Sequence, residues 1–218
     1  IKINGRPVSE EEFMAIGKAV GVVDSELIGA LKLIPAPYLQ YYYHTGNTLK
    51  KLREAPLTRG EVVQNLEKEV FAAYSDEQQC TKPEALAKRG GGGYSEVAIG
   101  FINAVYNDQD QWMIINVPNK GAVKFLPDDA VVEIGCLVNK TGIHPLHIEE
   151  VPSSVWGLIS AVKNYEGLAV DAAVSGDRTK ALLALIAHPL VRDYDLAKPL
   201  LEELLEANRR YLPKFFKD

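Results

Sequence analysis

Four tyrosines crowd six positions, Tyr38, Tyr41, Tyr42 and Tyr43, directly after Pro35-Ala36-Pro37 and directly before His44. On a helix, Tyr38, Tyr41 and Tyr42 would share one face, because residues three and four apart are neighbours. A phenol titrates near ~10, so a tyrosine serves as a base at neutral pH only beside a metal or another cation. An aromatic stripe at this spacing also suits core or interface packing, and the residues alone leave both roles open. Arg59, in Leu57-Thr58-Arg59-Gly60-Glu61-Val62, stands where a helix begins. A guanidinium beside the unpaired N–H groups of a helix start suits an anion such as phosphate. A solvated arginine with Glu61 or Asp76 as neighbours fits the same residues.

The run Arg89-Gly90-Gly91-Gly92-Gly93-Tyr94-Ser95 enters another helix. Such loops bring backbone N–H groups close to a ligand. This one lacks both the Gly-x-Gly-x-x-Gly strand context and the Lys-Ser/Thr ending of nucleotide loops, so a flexible loop or close backbone packing also fits. His144-Pro145-Leu146-His147, near Cys136, has no standard zinc spacing, and Pro145 prevents a helical pair of histidines; no metal is expected there. His188, before Pro189, reads as a helix-end histidine placed favourably against the helix dipole.

The elements that must position these residues are mostly helices. The chain opens Ile1-Lys2-Ile3-Asn4-Gly5, a strand running into an Asn-Gly hairpin turn. A strand at residue 1 needs a partner, and there is no initiator Met, so the expectation is a chain cut inside a larger structure. Ser9 caps a helix, with Glu12 at the capping-box position and Phe13, Ile16 and Val20 as its apolar stripe. Further helices are expected over 24–33, 38–51, 60–74, 81–88 and 95–106. Strands follow over 111–117 and 131–138, with a loop at 118–129 between them. Helices return over 154–175, 177–187 and 195–211, with Pro199 expected in the first turn of the last. No internal repeat is present. The expected class is α/β, of the α+β kind, helix-rich with a small mixed or antiparallel sheet.

Composition narrows the function classes. The chain has 218 residues, 47% hydrophobic and 24% charged, enough for a substantial core. The net charge of −5 is spread without a basic block, which argues against nucleic-acid binding. The longest apolar runs, such as Ala181–Ala187, are too short to cross a bilayer, and no signal-peptide layout opens the chain. Two cysteines, Cys80 and Cys136, make no disulfide framework, so unpaired thiols and a cytoplasmic location are expected.

Several segments, in order along the chain, together resemble glycoside hydrolase family 4, and within it the 6-phospho-β-glucosidases. They are Pro37-Tyr38-Leu39-Gln40-Tyr41-Tyr42, Arg59-Gly60-Glu61-Val62, Lys88-Arg89-Gly90-Gly91 through Tyr94-Ser95, and Asn116-Val117-Pro118-Asn119-Lys120-Gly121-Ala122-Val123. Leu126-Pro127-Asp128-Asp129-Ala130-Val131-Val132-Glu133, Ala187-His188-Pro189-Leu190 and Leu205-Glu206-Ala207-Asn208 complete the set. The resemblance implies a two-domain enzyme: an N-terminal Rossmann-type domain that binds NAD, and a C-terminal domain similar to that of lactate and malate dehydrogenases. Residues 1–218 would be that C-terminal, substrate-side domain, with the NAD-binding domain outside them. It also implies NAD and a divalent metal, typically manganese, as cofactors, and a mechanism outside the two-carboxylate scheme of most glycosidases. There the cofactor takes a hydride from C3 of the sugar, a base removes the C2 proton, the aglycone leaves by elimination, water adds and the steps reverse; the metal polarises the oxygens on C2 and C3.

Residue by residue, the resemblance makes Tyr38 the base at C2 and Arg59 a contact to the sugar phosphate. Arg89 and Tyr94 lie in the glycine-tyrosine motif, near the substrate or at a subunit contact. The substrate implied is a phosphorylated disaccharide or an aryl β-glucoside 6-phosphate, and the assembly a homo-oligomer, dimer or tetramer. The family's metal-binding cysteine and histidine fall in segments before residue 1, and Asn119-Lys120-Gly121 replaces the more usual Asn-Asn-Gly. These 218 residues alone are therefore expected neither to bind NAD, nor to hold the metal, nor to turn over substrate. Alternatives are the same mechanism on phospho-α-glucosides or α-galactosides, and a non-catalytic oligomerisation module. A lactate/malate-type dehydrogenase would need a catalytic histidine and a substrate arginine in their motif, which the chain lacks.

Overall fold

Five helix starts in the described residues, those capped by Ser9, Asp24, Thr58, Asp177 and Asp193, are written by short side chains that replace missing backbone partners. The computed structural model describes residues 2–3, 6–21, 23–90, 92–148 and 150–216, with the backbone alone for 2, 3, 6 and 7. Strands β1 (Lys2–Ile3) and β2 (Arg6–Pro7) pair antiparallel; the Asn4-Gly5 turn expected between them lies outside the described residues. Helix α1 (Glu10–Val20) opens on the expected capping box: Ser9 N donates to Glu12 Oε2 at 2.8 Å and Glu12 N to Ser9 Oγ at 3.2 Å. Helix α2 (Ser25–Leu31) is capped by Asp24, which accepts from Glu26 N at 2.8 Å.

The helix expected over 38–51 is instead three pieces: a 3-10 turn at Pro37–Leu39, α3 (Gln40–Tyr43) and α4 (Thr45–Glu54). His44 leaves helical geometry at φ −122° and ψ 37°. Its Nε2 accepts from Asp24 N at 3.3 Å, and Thr45 Oγ1 donates back to the carbonyls of Tyr41 at 2.7 Å and Tyr42 at 3.0 Å. The break is thus fixed by partners, one of them 20 residues away. Helices α5 (Arg59–Tyr74), α6 (Glu84–Arg89) and α7 (Tyr94–Tyr106) follow, then β3 (Gln111–Pro118) and β4 (Val131–Asn139). Helix α6 begins three residues later than expected because Pro83 holds Lys82 out of the helical region.

Strand β5 (Gly142–Pro145) was not foreseen. It pairs antiparallel with β4, Leu137 opposite His144, and sits at the sheet edge, where Pro145 costs no ladder bond. Helices α8 (Ser153–Ser175), α9 (Arg178–Ala187) and α10 (Tyr194–Ala207) come last, before short 3-10 turns at Arg209–Tyr211 and Pro213–Phe216. Helix α10 starts one residue before the expected 195, capped by Asp193, and ends at Ala207 rather than 211; Pro199 lies in the helix interior and not in the first turn. No described helix is long and apolar enough to cross a membrane.

The chain divides into two compact units. In the first (1–46, 123–130 and 148–218), α9 packs on α8 and on α10, and Ala172, Ala184, Ala197, Leu201 and Leu205 are buried along those helices. Helix α1 meets α2 at Gly17, where a Cβ would come 2.8 Å from the Cδ1 of Ile28, so any side chain there would force this fully buried isoleucine to shift. In the second (47–122 and 131–147), the sheet runs β3-β4-β5, all antiparallel, with Met113 opposite Cys136 and Ile115 opposite Ile134. Val132, Ile134, Cys136 and Val138 alternate inward along β4, and α7 packs on that strand. A satellite core of Leu66, Val70 and Ala85, with Val62 and Leu86, joins α5 to α6.

Both cysteines are free, as expected. Cys136 is fully buried, and burial pushes its thiol up from the ordinary range, while Cys80 is exposed. A maleimide reagent should therefore modify Cys80 in the native protein and reach Cys136 only after denaturation. Equal native labelling of the two, read by mass spectrometry of peptides, would contradict this burial.

Candidate active site

Tyr38 stands in the 3-10 turn begun by Pro37, which Leu39 N closes by donating to the Ala36 carbonyl at 2.9 Å. It is 81% exposed and, among the described residues, its hydroxyl has no hydrogen-bond partner. The one-faced stripe of Tyr38, Tyr41 and Tyr42 needs a single helical phase, and the 3-10 turn does not keep it. The other tyrosines pack: Tyr42 and Tyr43 meet edge to face at 5.1 Å, and Tyr41 and Tyr43 are half-buried. Burial, and then the neighbouring Tyr42, push the Tyr43 phenol up from its ordinary range. Tyr38 is thus the most solvent-exposed member of the cluster, in the first unit.

Arg59, Arg89 and Tyr94 belong to the second unit, and the fold brings the two arginines together. Thr58 caps α5, and its reciprocal partner Glu61 accepts from Thr58 N at 2.7 Å and from Thr58 Oγ1 at 2.9 Å. That occupies Glu61, so Arg59 pairs neither with it nor with Asp76. Its Nη2 donates instead to the carbonyls of Arg89 at 2.8 Å and Lys88 at 3.3 Å, the last of α6, which have no partner within that helix. The backbone N–H of Thr58, and then its hydroxyl, hold the Glu61 carboxyl below the usual range. The cap is therefore complete above the unfolded value near ~4.3 and is lost as pH falls through the lower folded one. Corrected for intrinsic rates, amide protection at Glu61 and Val62 should fall as pH drops below the ordinary carboxylate range while that of Val70 does not.

Sequence reasoning missed Glu67. From the middle of α5 its Oε1 accepts from Arg89 Nε at 3.1 Å and Nη2 at 2.9 Å. The only signal in the sequence is its place eight positions after Arg59 on one helix. After Arg89 the chain turns at Gly90, φ 92°, and α7 starts on Gly93 at φ 86° with no side-chain cap. Tyr94 is 76% exposed beside an open apolar groove of about 650 Å³, lined by Gly93, Tyr94, Val97, Phe101, Ile102 and Ile115.

Among the described residues, no group of three or more His, Cys, Asp or Glu side chains is arranged to hold a metal. His144 Nε2 lies 2.8 Å from Thr141 Oγ1 in the β4–β5 hairpin, and Cys136 is closed in the core. His188 caps α9, with its ring edge to face on Tyr165 at 4.5 Å. It stands at the helix end as expected, and its Nδ1 accepts from Leu190 N at 3.1 Å in a local turn bond.

Residues 7–191 match the family 4 glycosyl hydrolase C-terminal domain. The chain belongs to this family. The resemblance read from its ordered motifs is thereby confirmed, and so is the α+β, helix-rich class with a small antiparallel sheet. Among family 4 relatives, a probable 6-phospho-β-glucosidase of Bacillus subtilis is 42% identical over 88% of this chain and 44% of its own length. The 6-phospho-β-glucosidase BglT of Thermotoga maritima is 36% identical over 96% of the chain and 51% of its own. A solved structure of the Thermotoga maritima enzyme with manganese, NAD+ and glucose-6-phosphate superposes with a TM-score of 0.85, covering 96% of this chain and 51% of that one. A phospho-α-glucosidase of Clostridium acetobutylicum is 31% identical over 82% of this chain and 41% of its own length. The chain spans about half the length of these relatives.

Proposed function

We propose that residues 1–218 are the substrate-side domain of an NAD- and divalent-metal-dependent 6-phospho-β-glucosidase. The observation that carries this reading is the gradient of identity, 42% and 36% to β-acting relatives against 31% to an α-acting one. NAD and manganese, both present in the solved structure of the Thermotoga maritima relative, are proposed as cofactors of the complete enzyme. What this chain supplies is recognition and proton transfer. Arg59 and Arg89, on neighbouring ends of α5 and α6, offer guanidinium donors to the sugar phosphate, and Tyr94 beside its groove contacts the rest of the substrate. Tyr38 takes the proton from C2 of the sugar, a role supported by its exposure. A homo-oligomer, dimer or tetramer, is the assembly proposed; exposed Tyr106, Trp112 and Ile114 at the end of α7 and on edge strand β3 support it.

The test is a substrate comparison on the holoenzyme. An aryl β-glucoside 6-phosphate should be hydrolysed with kcat/KM at least about a hundredfold above that of its α anomer or of the unphosphorylated glucoside. A preference for the α anomer would move the chain to the phospho-α branch, and indifference to the 6-phosphate would remove Arg59 and Arg89 from the site.

A further inference from the structure

Arg89 is held twice by one helix. Arg59 at the start of α5 fixes its carbonyl at 2.8 Å, and Glu67, two turns later, fixes its side chain through Nε and Nη2. Both contacts meet at the last residue of α6, where Gly90 at φ 92° turns the chain toward Tyr94. A Cβ on Gly90 would come 3.9 Å from Arg59 Nη2, so the guanidinium lies close beside Gly90. A solvent-exposed arginine samples many rotamers, and pairing one edge of its fork removes most of them. The Nη1 end of Arg89 has no partner among the described residues, and it is the end left to meet a ligand.

We propose that Glu67 is a positioning residue that orients the Arg89 guanidinium toward the anionic group of the substrate. This rests on reading Arg89 as substrate-binding. The carboxylate has no other evident task. The pair is well exposed, 43% for Arg89 and 38% for Glu67, and such ion pairs add little to stability. Two opposite signs separate the possible roles. If Glu67 acted only as a charge, it would oppose an incoming phosphate, and removing it would tighten binding. If it positions Arg89, removing it weakens binding, because the freed guanidinium must be ordered again when substrate arrives.

The experiment compares Glu67→Gln, Glu67→Asp, Arg89→Ala and the Glu67→Gln/Arg89→Ala double variant in the holoenzyme, on an aryl β-glucoside 6-phosphate. Glu67→Gln should raise KM about tenfold with kcat within about twofold. Glu67→Asp should recover part of that loss, and the double variant should be no worse than Arg89→Ala alone. Circular-dichroism melting should be nearly unchanged throughout. A KM that stays level or falls in Glu67→Gln, while Arg89→Ala raises it, overturns the positioning role and leaves the site intact. A KM unchanged in Arg89→Ala overturns the substrate-binding reading itself and the role of Glu67 with it.

Discussion

Tyr38→Phe in the holoenzyme should lower kcat by about 10²–10⁴-fold, the span that a positioned proton-transfer group contributes. KM for the phosphorylated β-glucoside should change by less than about threefold, since the ring and both arginines remain. The hydroxyl is the only group removed, and among the described residues it has no hydrogen-bond partner. No buried polar atom is orphaned, so the melting temperature should not move. Tyr43→Phe is the matched control. Burial pushes that phenol up, away from the range in which it could accept a proton, so kcat should stay within about twofold. A Tyr38→Phe enzyme with full kcat would return Tyr38 to the packing role that its aromatic neighbours play. Loss of kcat together with loss of melting temperature would do the same, because a base has no reason to stabilise the fold.

What could be read from the sequence was what depends on near neighbours. The α1 cap needs only Ser9 and Glu12, three positions apart, and it is where expected. The long strands β3 and β4 were legible because short apolar, β-branched runs fill them, Trp112–Ile115 in one and Cys136–Val138 in the other. Strand β5 was not, since four residues including Gly142 and Pro145 carry no pattern until β4 pairs with them. The break at His44 depends on Asp24, and the cap of α10 on a choice between Asp193 and Asp195 that local rules do not make. The site followed the same division. Tyr38 and Arg59 were singled out by family resemblance; their residue types alone suited packing and surface roles equally. Glu67 remained hidden because its partner lies 22 positions away, across a turn.

Arg59→Ala should raise KM for the phosphorylated substrate about 10–100-fold, the usual cost of losing one charge-assisted hydrogen bond to an anion. It should also cost about 1 kcal/mol of stability, because the carbonyls of Lys88 and Arg89 lose their donor at the end of α6. The two losses have different signatures. The phosphate contact affects only substrates that carry a phosphate, so KM for an unphosphorylated glucoside should barely change through that route. Loss of the carbonyl contact loosens the end of α6 for every substrate and lowers the melting temperature whether or not ligand is present. Arg59→Lys divides them. It keeps the positive charge but not the planar fork, so it should recover much of the phosphate-specific loss and little of the stability. A rise in KM equal for both substrates, with the melting temperature lowered, would make Arg59 a clamp on α6 and leave Arg89 as the guanidinium that meets the phosphate.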